Sequence, residues 1–193
     1  MSPRTTEQLQ EVREISKNKI LDAALKLFAE RGFHNTSISQ ITKEAGVSKG
    51  LLYNYFQKKE ELIDGIVGKA MAEGEELMRE MMEQTSPQAK LRFIINAAFT
   101  EITERKEYYK LITSLSLQLD HFKNVKEIVF AKYQNSIPFF ASLLEESGVE
   151  NAEEEAMILA ATMDGIGAQF IVLGEILPIE KLKESLFKRF KLL

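Results

Sequence analysis

Ser48-Lys49-Gly50 opens a short segment whose residue types suit one kind of chemistry, the reading of a nucleic-acid duplex. Ser48 can cap a helix N-terminus. Gly50 has no side chain to hold that end away from base edges, and Lys49 can reach a guanine edge or a phosphate. Tyr53, Asn54 and Tyr55 follow on the same short helix. Lys58 and Lys59 stand just past it, where a backbone phosphate would lie. Upstream, Thr36 and Ser37 offer hydroxyls, and the amides of the helix they start can hold a phosphate oxygen. On residue type alone, Tyr53 and Tyr55 serve equally well as core residues, and Lys58-Lys59 as a solvated helix start.

The elements that must position this set are helical. Ile20, Leu21, Ala24, Leu25, Leu27 and Phe28 form one apolar face of a first helix, which Gly32 ends. Ser37 and Gln40 read as a capping box for a short second helix, which Gly46 stops. Ser48 then caps a third, reaching to Phe56. Two short capped helices joined by Ala45-Gly46-Val47-Ser48 make a helix-turn-helix. In that arrangement the second helix enters the major groove by its N-terminal end.

Beyond it, the pattern predicts a fourth helix over 58–82 and a fifth opened by Ser86-Pro87. A sixth covers 108–119, and a seventh covers 122–147 with a bend at Pro138. An eighth is capped by Asn151, and a ninth runs from Pro178 to about Lys191. The fold class is therefore all-α with about nine helices. The boundary falls after residue 57: residues 1–57 hold an N-terminal arm and the helix-turn-helix, and residues 58–193 a second domain. The apolar stretch 156–174 is expected to be a buried helix rather than a membrane span. Asp164 near a bilayer centre would cost roughly 2.5–3.5 kcal/mol, and no Lys or Arg anchors flank the stretch.

Composition narrows the functions. The 193 residues include no Cys and two His, His34 and His121. That removes thiol catalysis and Cys-ligated metal, so neither metal nor cofactor is expected. Residues 1–60 carry ten basic and seven acidic side chains, whereas residues 61–193 carry fifteen and twenty-two. The first part therefore suits a polyanion and the rest does not. The polar stretch Met1–Gln10 lacks the apolar core of a signal peptide, which points to the cytoplasm. No nucleophile–base pair, paired carboxylate or metal spacing stands out, so no enzyme is expected.

Residues 24–33 (ALKLFAERGF), 36–41 (TSISQI), 45–56 (AGVSKGLLYNYF) and 58–62 (KKEEL) resemble the N-terminal signature of the TetR family of bacterial transcription regulators. The likeness is almost continuous over about residues 16–65. It implies a three-helix DNA-binding unit fused to a divergent helical domain that dimerises through its last two long helices and binds a small effector. By position, Thr36 matches the phosphate-binding start of the second helix, and Ser48, Lys49 and Gly50 the leading end of the recognition helix. Tyr53 and Tyr55 match its aromatic contacts, and Lys59 a lysine that touches the DNA backbone. The resemblance also implies a homodimer through residues 151–175 and 179–191. The small residues Ala160, Ala161, Gly165, Gly167 and Ala168 either allow close approach of the two subunits or pack within one.

For the effector, the informative residues are polar ones that interrupt apolar faces: Asn96, Thr100, Tyr109, Thr113, Gln134 and Asp164. A buried polar group needs a partner, from protein or ligand. The reading is a homodimeric regulator, a repressor that leaves a double-stranded operator when a small molecule binds. A constitutive helix-turn-helix protein without effector is the alternative, and a helical enzyme a more distant one.

Overall fold

The computed structural model describes residues 5–116 and 123–192. His121 lies outside them. Among the described residues there are nine α-helices and no strand. They are α1 (Thr6–Arg31), α2 (Ile38–Ala45), α3 (Lys49–Tyr53), α4 (Glu60–Met82), α5 (Pro87–Glu104), α6 (Lys106–Ser116), α7 (Lys123–Glu146), α8 (Ala152–Leu173) and α9 (Ile179–Arg189). A 3-10 turn, Gly174–Ile176, follows α8. The chain divides into two compact units, Met1–Ala70 and Met71–Leu193.

In the first unit, α1 starts earlier than its apolar face suggests. Thr5 caps it, with the Thr5 hydroxyl accepting from the Gln8 amide and the Gln8 side chain accepting from the Thr5 amide. Its buried face is Ile20, Leu21, Ala23, Ala24, Leu27, Phe28 and Ala29. Gly32 ends the helix at φ 81°, a value that side chains disfavour. Ser37 and Gln40 form the expected capping box, and Gly46 turns the chain out of α2 in the left-handed conformation. An ion pair of 2.6 Å between Lys26 and Glu44 joins α1 to α2.

The compact units divide after Ala70, whereas the sequence places the boundary after residue 57. Leu62, Ile63, Ile66 and Val67, on the first turns of α4, are buried. Gly65 lies so close to Leu21 and Phe56 that an added Cβ would sit 2.7 Å from one and 3.2 Å from the other. These turns complete the core under α1 and α3, so they belong with the first unit although the motif ends before them.

The second unit is built around Leu91, Ile95, Phe99 and Ile102 of α5, Leu143 and Leu144 of α7, and Leu159, Ile166 and Phe170 of α8. Leu186 of α9 and Phe190 just beyond it close the cluster. Gly148 ends the α7 segment at φ 77°. Asn151 precedes α8 but does not cap it with its side chain. It takes the left-handed conformation at φ 54° and serves as a turn residue, a role Asn tolerates better than most. The expected burial of the stretch 156–174 is also corrected. Only 28% of the most apolar window of this region is buried, and Met157, Ile158, Val172 and Leu173 are exposed. By length and composition it is long and apolar enough to cross a membrane.

Gly167 is buried where the Tyr109 ring lies against the backbone of α8, and a Cβ built there would overlap that ring. Gly167→Val is therefore expected to destabilise the protein by about 1–3 kcal/mol through overpacking. Gly74→Ala, at a site with nothing within 4 Å, is expected to be neutral or slightly stabilising. Urea midpoints check both, and an unchanged midpoint for Gly167→Val would contradict the packing.

Candidate nucleic-acid interface

The helix-turn-helix presents one polar face and buries the other. On α3, Leu52 is fully buried, and Phe56 just after it is 4% exposed. Lys49, Gly50, Tyr53 and Asn54 are exposed. Their spacing, i, i+1, i+4 and i+5, puts them on one side of a helix. Ser48 caps α3, its hydroxyl accepting from the Leu51 amide at 3.1 Å. The helix is shorter than expected. Regular structure ends at Tyr53, and Asn54, still right-handed, passes the chain to Tyr55 and Phe56 through hydrogen bonds to Leu52.

Gly50 is the most informative position. A Cβ there would meet nothing of the protein closer than the Ser48 hydroxyl at 3.9 Å, and no positive φ requires glycine. Glycine inside a helix costs roughly 1 kcal/mol against alanine. Nothing in the local packing repays that.

Three residues expected at phosphates have partners within the protein. Thr36 is buried at 2% exposure, and its hydroxyl donates to the carbonyls of Leu27 at 3.2 Å and Gly32 at 2.9 Å. It closes the turn between α1 and α2 and has no hydroxyl left for a phosphate. Ser37 is exposed, but its amide donates to the Gln40 side chain at 2.8 Å and its hydroxyl accepts from the Gln40 amide. Lys59 is half-buried, and its ammonium donates to the carbonyls of Phe33 at 2.7 Å and Thr36 at 3.0 Å. Lys58 stays exposed. Tyr55 is half-buried, with the Arg13 guanidinium 6.0 Å above its ring. Arg13 was not anticipated. The Thr5–Gln8 capping box was the available signal, because it carries α1 past Arg13 toward the third helix.

The six effector candidates do not share one environment. Asn96, Thr100, Gln134 and Asp164 are exposed. Thr113 and Tyr109 are half-buried. Burial, and secondarily the Asp164 carboxylate, push the Tyr109 hydroxyl up to about 12. Its ring packs on Gly167 as described above. Among the described residues no group of three or more His, Asp or Glu side chains could hold a metal ion.

A second surface lies on α8 and α9. Ile158, Thr162, Gly165 and Gln169 of α8 face Ser185 and Leu186 of α9 across an open groove of about 590 Å³. Arg189 forks onto Glu155 at its edge, with nitrogen–oxygen distances of 2.9 and 3.0 Å. The small residues of α8 divide between two uses. Gly167 receives Tyr109 within the chain, while Ala161, Gly165 and Ala168 are exposed.

A family model described as bacterial regulatory proteins, tetR family, matches residues 20–66. The chain is 35% identical over 83 residues to the fatty acid metabolism regulator protein of Bacillus subtilis, a match covering 42% of this chain and 43% of that protein. It is 28% identical over 177 residues to the HTH-type transcriptional repressor BepR of Brucella suis, covering 84% of this chain and 81% of BepR. To the uncharacterized HTH-type transcriptional regulator YxaF of Bacillus subtilis it is 31% identical over 159 residues, covering 78% of this chain and 80% of YxaF. Among solved structures, a TetR-like transcriptional regulator from Rhodococcus sp. RHA1 superposes with a TM-score of 0.74 at 25% identity, covering 98% and 97% of the two chains. The regulator FadR from Bacillus subtilis, in complex with stearoyl-CoA, gives 0.72 at 21% identity over 90% and 96% of the chains. That second likeness is one of fold.

Gly50→Leu is expected to leave thermal stability unchanged or slightly raised, because the position is open, while blocking approach of α3 to a groove. Lys49→Ala is expected to lose about 1–3 kcal/mol of duplex binding if Lys49 reads a base. Fluorescence anisotropy with duplexes enriched from a randomised pool checks both. Full binding by Gly50→Leu would remove α3 from the interface.

Proposed function

The chain belongs to the TetR family of transcriptional regulators, and from that premise we propose that it is a homodimeric repressor whose α3 reads a double-stranded operator and which a small molecule releases. The observation that carries the DNA part is the exposed face of Lys49, Gly50, Tyr53 and Asn54 on a helix anchored by Leu52, with a glycine that the protein itself does not require. Two such helices in successive major grooves would read a roughly palindromic site. Lys49, Lys58 and the amides of Ile38 and Ser39 at the head of α2 are the groups we assign to backbone phosphates. BepR is named as a repressor, which supports that direction of control here.

The open groove on α8 and α9 supports the dimer. Ile158, Val172 and Leu173 are exposed on a helix that is mostly apolar, a surface that a second copy would cover. Residues 151–175 and 179–191 are the segments we assign to that contact. No membrane role is proposed, and the cytoplasm is the compartment that suits a DNA-bound regulator. No catalytic step is assigned.

The effector part rests on relatives. FadR of Bacillus subtilis is described with stearoyl-CoA, and a regulator from Saccharomonospora viridis with choline. For this chain, Tyr109 and Thr113 are the better candidates of the six for contact with a ligand, because they are half-buried. Asn96, Thr100, Gln134 and Asp164 would meet one only at a rim. A ligand has an effect only if it binds the released conformer more tightly than the DNA-bound one. A coupling of about 1–3 kcal/mol is the usual scale.

Ile158→Glu places a charge in the groove and is expected to convert a dimer into monomer in sedimentation velocity. Operator affinity should fall with it, since one half-site contact is lost per molecule. A monomeric parent protein, or an unaffected dimer in the variant, would overturn the dimer assignment. A thermal-shift screen with acyl-CoA esters and quaternary amines tests the effector. A melting temperature that rises with ligand concentration, together with release of a bound duplex, is expected.

A further inference from the structure

None of residues 5–19, the cap and first turns of α1, is buried. They precede residues 20–66, the part that the family model matches, and the packed face of α1 begins only at Ile20. Helical stability in proteins comes mostly from packing, which this extension lacks. The complete capping box of Thr5 and Gln8 closes it instead.

Its side chains are sorted by charge. Arg13 stands seven residues before Ile20 and fourteen before Leu27, both buried, so it lies on the side of α1 that faces the helix-turn-helix. Thr6 and Gln10 share that side, whereas Glu7, Glu11 and Glu14 repeat at the same spacing along another. The Arg13 guanidinium reaches Tyr55, two residues past α3, with its carbon 6.0 Å from the ring centre. That is the outer limit of a cation–π attraction, so the ring steers the group more than it holds it. Arg13 is exposed, and among the described residues no carboxylate pairs with it. A guanidinium over an aromatic face keeps its planar N–H donors at the edge, a fork that fits two phosphate oxygens at once.

The extension thus carries an unpaired cation to the flank of the exposed face of Lys49, Gly50, Tyr53 and Asn54. We propose that Arg13 is a further DNA-binding residue, which grips a backbone phosphate beside the recognition helix from α1, with the Tyr55 ring setting its direction. The inference rests on the DNA-binding reading above and deepens it. A phosphate contact positions the protein without reading sequence, so Arg13 adds affinity on every duplex alike.

Arginine footprinting with phenylglyoxal, read by mass spectrometry, tests this on the full chain alone and bound to a duplex enriched from a randomised pool. Arg13 is expected to react readily in the free protein and several-fold more slowly with DNA. In parallel, Arg13→Gln and Arg13→Lys are titrated with the duplex over a salt series. Arg13→Gln should weaken binding several-fold at low salt and reduce the salt slope by about one for each Arg13 removed. The loss should be the same on single-base variants of the duplex, and the melting temperature should not change. Arg13→Lys, which keeps the charge, should keep most of the slope.

An Arg13 equally reactive with and without DNA would overturn the proposal. So would weaker binding by Arg13→Gln at an unchanged salt slope, the mark of a residue that only steadies Tyr55. If no duplex is enriched, the DNA-binding reading fails and this proposal with it. Tight duplex binding that is indifferent to Arg13→Gln overturns the role of Arg13 alone.

Discussion

A five-residue helix cannot hold itself in place. Isolated helices shorter than about 12–15 residues are marginal in water, and α3 spans only Lys49–Tyr53. Its direction is imposed from below and from behind. Leu52 and Phe56 are buried beneath it, and Gly46, at φ 66°, sets the turn by which it leaves α2. The face that remains outside, Lys49, Gly50, Tyr53 and Asn54, is thus defined by what the other face buries. The DNA-binding assignment for this chain depends on that constraint. A recognition surface is useful only when its side chains arrive together, and here the arrival is arranged by apolar burial.

The polar bonds around the motif complete the arrangement. The hydroxyl of Thr36, the capping box of Ser37 and Gln40, and the ammonium of Lys59 all close the turn between α1 and α2. These groups have the residue types that meet phosphates in duplex-binding proteins, and two of them turn inward instead. Hydroxyl and ammonium groups close to a buried turn give its carbonyls a further donor within the chain. The motif consequently divides into groups that hold it and groups that present it.

The second unit follows a different logic. Its core of Leu, Ile and Phe is ordinary, but α8 keeps an apolar face outside the chain, at Met157, Ile158, Val172 and Leu173. The same face carries exposed small residues at Ala161, Gly165 and Ala168. A helix that reads as fully buried in sequence can be buried by a second chain as well as by its own. Hydropathy does not distinguish the two, which is why the sequence suggested an interior helix where the single chain leaves a surface. The helix order and most caps were legible, because Gly32, Gly46, Ser37, Ser48 and Ser86 announce themselves by type and spacing. Asn151 was not, since a cap and a left-handed turn favour the same residue. The effector candidates were the least legible. A polar residue on an amphipathic helix looks the same in sequence whether it faces a cavity or water, and four of the six are exposed. The inward partners of Thr36 and Lys59 were illegible for a related reason, because sequence records what a side chain can bond but not what lies nearest to it.

The central claim is that the outward face of α3 meets the duplex. Backbone amide chemical-shift mapping of the isotope-labelled protein, titrated with an enriched duplex, tests it most directly. The account predicts the largest perturbations at Ser48 through Asn54 and at the head of α2, with the amides around Leu91 and Ile95 unmoved. Large shifts confined to another surface, with Lys49, Gly50 and Tyr53 unchanged at saturation, would contradict it.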